Sequence, residues 1–177
     1  MSSTLTQYWE VLAVFLIPFG GGIPAGVVVA KNFGIEWPIT AAIYLISDCI
    51  LACVFEVLLK YFTGLSYRSA YWGRVRVAMK MSLDYIVKMF GIRPTPFNLI
   101  VLSVGTDPMT GRMISKLVGH GFFSGWTLAI MGDMVFYFIV MASTLWLNQV
   151  LGSGTQAAII MTVAILAIPP LIQRLRA

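Results

Sequence analysis

The architecture of this chain follows from two stretches of its sequence, GGGIPAGVVVAKNFGIEWPITAAIYLISD at residues 20–48 and GTDPMTGRMISKLVGHGFFSGWTLAIMGD at residues 105–133. Each contains a glycine, a proline three positions later, a second glycine, a lysine, a third glycine and an aspartate. The matched residues are Gly21, Pro24, Gly26, Lys31, Gly34 and Asp48, and then Gly105, Pro108, Gly111, Lys116, Gly119 and Asp133. The match predicts an internal duplication. The alternative is chance similarity between two glycine-rich apolar stretches.

The composition indicates a membrane protein. Hydrophobic residues make up 59% of the 177 positions and charged residues 11%, whereas soluble domains have about 45–50% and about 25%. The mean hydropathy is +0.87. These values exclude a water-soluble globule and make a bilayer the expected solvent. We expect one small all-α membrane domain without enzymatic activity, because the chain has no room for a soluble catalytic domain.

Apolar stretches of two kinds follow one another along the chain. Three are long enough to cross a hydrocarbon core of about 30 Å: residues 38–59, 122–147 and 155–172. Residues 8–30 and 97–121 are interrupted by glycine and proline, which cost a helix about 1 and 3 kcal/mol relative to alanine. Each of these is expected to enter the membrane, turn and return as a re-entrant helical hairpin. Such backbone must be buried in protein or line a wet cavity.

The regions of the chain can be assigned from these patterns. Apolar residues in 65–93 recur every three or four positions beside a basic stripe, which predicts an amphipathic helix lying on anionic lipid headgroups. Nucleic acid is not an expected partner of so apolar a chain. Within one membrane domain, 1–177, the expected order is repeat one (8–60), the cytoplasmic basic helix (65–93), repeat two (97–147) and a C-terminal transmembrane helix (155–173). Pro169 and Pro170 are expected to end or kink that last helix.

The basic residues predict the topology. Seven of the twelve lysines and arginines lie within residues 60–93, and Arg174 and Arg176 lie close to the C-terminus. The positive-inside rule places both regions in the cytoplasm. Helix 38–59 then runs from outside to inside and helix 122–147 from inside to outside, so the two repeats are inverted. Inverted repeats with broken helices build many secondary transporters, with substrate and ion sites near the membrane midplane.

Two acids are the candidate proton-coupling residues. Asp48 and Asp133 each lie near the middle of a predicted spanning helix, where an acid costs about 2.5–3.5 kcal/mol by insertion scales and is usually kept for function. Either could take up and release a proton during a transport cycle. The alternative is that hydrogen bonds or a buried partner neutralise them. Glu56 is eight residues beyond Asp48 and could form an ordinary helical pair with Lys60.

Basic residues beside the hairpins are the candidate substrate ligands. Arg112 follows the second turn, and Lys31 and Lys116 are equivalent in the two copies, where they could bind a phosphate or carboxylate group. The lysines could instead extend to opposite membrane interfaces. Asp107, at the second turn, could contact the substrate or pair with Arg112. His120 is the only histidine, so neither a metal nor another cofactor is expected.

These motifs resemble a known family. The GGGIPAG turn, the basic amphipathic middle, the GTDPMTG turn and the GDMV sequence at 132–135 resemble the small multidrug export proteins and, more distantly, the DedA-type (VTT/SNARE-associated) membrane proteins. The resemblance covers residues 15–147. It implies opposed re-entrant hairpins, each followed by a membrane helix, and proton-coupled movement of a lipid phosphate such as undecaprenyl phosphate. Gly22 and Ile23 replace the acid that the DedA pattern has just before the first hairpin's proline, and Asp107 stands where that pattern has a basic residue before the second proline.

These features together predict a small secondary transporter or lipid translocase of the bacterial inner membrane. We expect it to be coupled to protons, to carry an anionic or amphiphilic small substrate and to work as a homodimer. The alternative is a non-transporting membrane subunit or assembly factor of a larger complex, whose basic helix docks a partner. A membrane enzyme that acts on lipid headgroups is a third possibility, which would need acids close to one interface.

Overall fold

The fold is described from a computed structural model of the chain, covering residues 2–17, 22–68, 74, 77, 81, 96–104 and 108–176. All regular secondary structure within these residues is helical. The helices are α1 (Ser2–Phe15), α2 (Gly22–Asn32), α3 (Trp37–Arg68), α4 (Pro96–Val104), α5 (Pro108–Leu117), α6 (Phe122–Leu151) and α7 (Gly154–Arg176). The predicted all-α class is therefore confirmed for the described part of the chain.

The chain divides into two compact units. Unit one contains residues 1–47 and 137–177, and unit two contains residues 48–136. The divisions fall inside the two longest helices, α3 and α6. Unit one therefore holds α1, α2, α7 and one half of each long helix, whereas unit two holds α4, α5 and the other halves. Each unit thus contains one pair of short helices that precedes a long helix.

In unit one, the short helices α1 and α2 pack against each other. Gly26 of α2 lies directly against the ring of Phe15, where a Cβ atom would approach the ring atom Cζ to 2.8 Å. Phe15 makes an edge-to-face contact with Tyr44, with ring centroids 5.1 Å apart, and Tyr44 stacks on Tyr137 at 4.3 Å. Helix α2 also packs against α7. The glycine therefore allows α1 and α2 to approach each other closely beside an aromatic core.

In unit two, the short helices α4 and α5 form the equivalent pair. Gly111 of α5 lies against the side chain of Ser103 on α4, and Gly132 of α6 lies against the same serine. A Cβ atom at Gly132 would come within 2.6 Å of the backbone oxygen of Ile100. Small residues thus let three helix backbones approach closely, as is common among helices packed in membranes.

The turns that lead into the two long helices have the same backbone hydrogen bonds. After α2, the N–H of Gly34 donates to Lys31 and that of Ile35 to Ala30, at 3.0 and 2.9 Å; eighty-five positions later, Gly119 donates to Lys116 and His120 to Ser115, at 3.1 and 2.9 Å. Both are Schellman caps. The φ angles of Gly34 and Gly119 are +71° and +93°, in the left-handed region that favours glycine. The predicted repeat therefore has matching local geometry at both turns.

Two helices among the described residues are long and apolar enough to cross a membrane. They are Trp37–Tyr61 of α3, with a mean hydropathy of 2.2, and Phe122–Leu151 of α6, with 1.8. Both carry many exposed large apolar side chains, among them Leu45, Ile46, Ile50, Val54 and Val57 on α3, and Val135, Phe138, Ile139, Trp146 and Val150 on α6. Water is a poor solvent for such faces. The two helices are thus compatible with a membrane protein.

The last helix, α7, differs in detail from the expectation. Helix α7 has a shorter apolar part, Gly154–Ala167, and it continues past Pro169 and Pro170 to Arg176. The two prolines therefore do not end it. A proline removes one backbone hydrogen bond and crowds the carbonyl four residues earlier, which bends a helix without always stopping it.

Helix α3 continues to Arg68 and thus enters the segment predicted as a separate amphipathic helix, 65–93. Most of that segment lies outside the described residues. Three of its later residues are described: Arg74, Val77 and Met81 are helical and exposed. The amphipathic helix over the rest of the segment stays a prediction.

Candidate functional site

The centre of the candidate site is a pair of buried carboxyl groups in unit two. The carboxyl groups of Asp48 on α3 and Asp133 on α6 interact with each other, and each residue is only 3% exposed. Two ionised carboxylates repel each other strongly in a buried site, whereas one proton between them removes a charge and supplies a hydrogen-bond donor. The pair can therefore hold a single proton between two acids.

The packing of α3 against α6 within unit two brings the acids together. Two turns after Asp48, Phe55 meets the ring of Trp126 edge-on at 6.0 Å, and Trp126 lies two turns before Asp133. Later residues of α3 therefore face earlier residues of α6, so the two helices run antiparallel here. This is the relative direction that the expected topology requires of the two spanning helices.

A second charged cluster lies farther along the same helix pair. The guanidinium of Arg112, on α5, donates from Nε to Oε2 of Glu56 at 3.1 Å and from Nη2 to Oε1 at 3.3 Å. The indole Nε1 of Trp126 donates to the same Oε2 at 3.1 Å. The side chains of Arg112 and Glu56 are 3% and 9% exposed. Three N–H groups from two helices thus converge on one buried carboxylate, which we call the Glu56 cluster.

The guanidinium of Arg112 is enclosed by small residues. Its Nη1 is buried and has no hydrogen-bond partner in the described part of the chain. A Cβ atom added to Gly125 would lie 2.6 Å from Nη1 and 2.7 Å from the hydroxyl oxygen of Ser115. The Ser115 hydroxyl itself donates to the backbone oxygen of Arg112 at 2.8 Å. Glycine at position 125 is therefore a steric requirement for this position of the arginine.

The residues predicted for substrate binding lie in different surroundings. Lys31 and Lys116 are exposed in the last turns of α2 and α5, and the charge of Lys116 acts on the Glu56 carboxylate. Arg112 is buried and paired with Glu56. The sequence had left undecided whether Asp107 is the partner of Arg112. Asp107 lies outside the described residues.

The predicted hairpin tips are only partly described. Pro24, Gly26 and Gly111 are buried, and Pro108 is half-buried at the start of α5. Gly21 and Gly105 lie outside the described residues. The close approach of the two tips stays a prediction.

The sequence did not point to the Glu56 cluster. Glu56 was given a possible helical partner, Lys60, and Trp126 was given no role. The available signal was electrostatic: Glu56 and Arg112 are isolated opposite charges in apolar stretches, and such charges rarely remain buried without pairing. Among the described residues, no three His, Cys, Asp or Glu side chains are grouped so that they could hold a metal ion.

The function is interpreted from the geometry, because the comparisons with known proteins give no match. No protein-family model, no curated protein and no solved structure matches the chain.

Proposed function

We propose that this protein is a small multi-pass transporter or lipid translocase of the bacterial inner membrane, in which Asp48 and Asp133 carry the coupling proton. The observation that carries the proposal is the interaction between these two buried carboxyl groups, which lie on the two helices that, among the described residues, are long and apolar enough to cross a membrane. Ionisable groups at such depth commonly mark proton relays in pumps and transporters.

The chemistry of the pair explains how a proton can drive a conformational change. With one proton, the two carboxyl groups attract each other through their hydrogen bond. Without it, two negative charges face each other in a medium of low dielectric, where repulsion is strong. In one conformation α3 and α6 are held together in unit two, and in another they separate. The protonation state therefore changes the free energy of the first conformation relative to the second. Such a difference is what couples a bound ligand to a structural change.

The architecture supports the same proposal. Each unit contains a pair of packed short helices before a long helix, and the turns after α2 and α5 have matching hydrogen bonds. An inverted duplication with one re-entrant hairpin from each side would account for this correspondence, and it is the arrangement of many secondary transporters. In this proposal residues 65–93 and the C-terminus are cytoplasmic, the chain forms a homodimer, and the resemblance to DedA-type proteins reflects a related activity.

The test is proton movement in reconstituted vesicles. Purified protein in phosphatidylcholine vesicles with a trapped pH-sensitive dye would receive an inward gradient of either sulfate or dihexanoyl phosphatidylglycerol. We expect the lumen to acidify with the wild-type protein and this acidification to be lost in Asp48→Asn and Asp133→Asn. Glu36→Gln, which removes an exposed acid, is the matched control and should behave as wild type. Acidification at the wild-type rate in both aspartate variants would refute the proton role.

A second candidate function is a non-transporting membrane subunit. It is favoured by the described residues of the basic segment, since Arg74, Val77 and Met81 are all exposed and would be available to a partner. In that case wild-type vesicles would show no acidification with either anion. Charge reversal at Arg74, Arg76 and Lys80 would instead abolish association with the partner, while Asp48→Asn and Asp133→Asn would leave it intact.

A further inference from the structure

The Glu56 cluster has the composition of a binding site for an oxyanion. Its donors are Nε and Nη2 of Arg112 and Nε1 of Trp126, at 3.1 to 3.3 Å from the two carboxylate oxygens. The planar fork of an arginine matches both carboxylate and phosphate groups, and it binds them through two parallel hydrogen bonds. The Glu56 carboxylate therefore occupies the position, and makes the contacts, that the anionic group of a ligand would make.

The arginine also retains unused hydrogen-bonding capacity. Nη1 of Arg112 is buried without a partner in the described residues, in an arginine that is only 2% exposed. The two oxygens of one carboxylate bind one edge of the guanidinium, whereas a tetrahedral anion carries additional oxygens. Gly125 packs directly against Nη1, where an added Cβ would lie 2.6 Å from it, and supplies no hydrogen-bond acceptor from a side chain. The cluster therefore has a donor that its present occupant does not use.

We infer that Arg112 and Trp126 form an oxyanion site that Glu56 occupies in the ligand-free protein, and that a ligand's carboxylate, sulfate or phosphate group replaces the Glu56 carboxylate there. The inference rests on the proposed function in one respect: it identifies the class of group by which a transported anion is recognised. It also assigns Glu56, a residue without a role in the Asp48–Asp133 mechanism, as the internal competitor of the substrate.

Charge balance adds a proton to this exchange. In the ligand-free cluster the positive charge of Arg112 is balanced by Glu56. When a monovalent oxyanion takes its place, the displaced Glu56 carboxylate is a second buried negative charge, which is costly to leave unpaired. Uptake of one proton converts that carboxylate to a neutral carboxyl group and restores the original net charge. The anion and the proton therefore enter together.

The described charged groups around Glu56 permit this exchange. Arg112 contacts it from α5, the Trp126 indole contacts it from α6, and Lys116 acts on it by charge. On its own helix, Lys60 is exposed one turn later and Asp48 is two turns earlier. Among the described cations, Arg112 is thus the one that Glu56 contacts through hydrogen bonds. Protonation of Glu56 releases this arginine and leaves its guanidinium fork open to a ligand.

Isothermal titration calorimetry of the purified full-length protein in detergent tests the inference. The probes are sulfate, as a soluble oxyanion, and dihexanoyl phosphatidylglycerol, as a lipid headgroup; neither titrates near neutral pH. Titrations in two buffers of different ionisation enthalpy measure the protons taken up per anion bound. We expect about one proton per phosphatidylglycerol phosphate, and a tenfold gain in affinity for each unit by which the pH falls. Binding of sulfate alone identifies a soluble oxyanion as the ligand, and binding of the lipid alone identifies a headgroup; either supports the site.

Variants separate the site from its surroundings. Glu56→Gln should bind the probe at least tenfold more tightly at neutral pH and without proton uptake, because the competitor no longer reduces the fraction of open sites. Arg112→Gln should lose binding. If Glu56→Gln does not fold, the pH dependence of wild-type affinity decides. Binding that is independent of pH, or that persists in Arg112→Gln, overturns the inference.

A third variant keeps this test apart from the proposed function. Asp48→Asn should retain proton-linked binding in the calorimeter while losing acidification in vesicles. Proton uptake that disappears in Asp48→Asn and persists in Glu56→Gln would overturn the assignment of Glu56 and leave the Asp48–Asp133 proposal standing. Proton-linked binding by a wild-type protein that moves no protons in vesicles would refute transport and leave the binding site.

Discussion

Glu56 and Arg112 form a buried ion pair across 56 positions of sequence, with 3.1 Å between Oε2 and Nε. Removing one partner leaves the other charge buried and alone, which costs about 3–5 kcal/mol, whereas replacing both with apolar groups of similar volume is often neutral. We therefore expect Glu56→Leu and Arg112→Met each to lower the free energy of unfolding by about 3 kcal/mol and the double variant to recover most of the loss. Unfolding in mixed detergent micelles, followed by circular dichroism, measures this. Losses that simply add in the double variant would contradict the pairing.

A hydrogen bond between Asp48 and Asp133, whose buried carboxyl groups interact, can be tested apart from transport. Asn at position 48 donates an amide N–H to the Asp133 carboxyl group, so Asp48→Asn should unfold within about 1 kcal/mol of wild type. Asp48→Leu removes the polar partner and should cost about 1–3 kcal/mol. Thermal unfolding of both variants beside Glu36→Gln gives the comparison. Equal stability of the Asn and Leu variants would show that the hydrogen bond does not contribute.

Gly132 should not tolerate a side chain. A Cβ atom there would lie 2.6 Å from the backbone oxygen of Ile100, and a backbone atom cannot move aside as a flexible side chain can. Gly132→Ala is expected to destabilise the protein by about 1–3 kcal/mol, the usual cost of overpacking. Gly121→Ala is the control, since its Cβ would meet only the hydroxyl of Ser124, at 3.9 Å. Similar melting temperatures for the two variants would rule out close packing of α4 on α6.

The two caps predict equal effects of equal substitutions. Gly34 and Gly119 have positive φ angles, and no described residue lies within 4 Å of an added Cβ. The cost of alanine at either position is therefore that of the backbone conformation, about 1–2 kcal/mol. The free energies of unfolding of Gly34→Ala and Gly119→Ala should therefore fall by the same amount, within about 0.5 kcal/mol. A large effect at one position alone would argue against equivalent turns in the two halves.

Much of the local structure was predictable from the sequence. Glycine and proline interrupt residues 8–30 and 97–121, and both stretches form pairs of short helices. The continuous apolar stretches form long helices, although α3 runs to Arg68 and α7 runs through its prolines. A helix end depends on capping and packing as well as on propensity, so the apolar pattern alone does not locate it.

The candidate site was only half predictable. Asp48 and Asp133 were singled out because an acid is conspicuous in an apolar helix, and the repeat placed them at matching positions. Glu56 was equally conspicuous, but its nearest candidate in the chain was Lys60, and helical spacing favours such a neighbour. Arg112 became its partner through the packing of α5 beside α3 in unit two, which no local pattern encodes.

The sequence alone determined the apolar character of the two long helices, the helical class and the caps at Gly34 and Gly119, because these depend on composition and on hydrogen bonds between residues fewer than six apart. Tertiary structure decided which buried charges meet. The pairing of Asp48 with Asp133, and that of Glu56 with Arg112 and Trp126, arise where faces of separate helices come together. The free energy of a buried charge depends on those contacts and not on its neighbours in sequence.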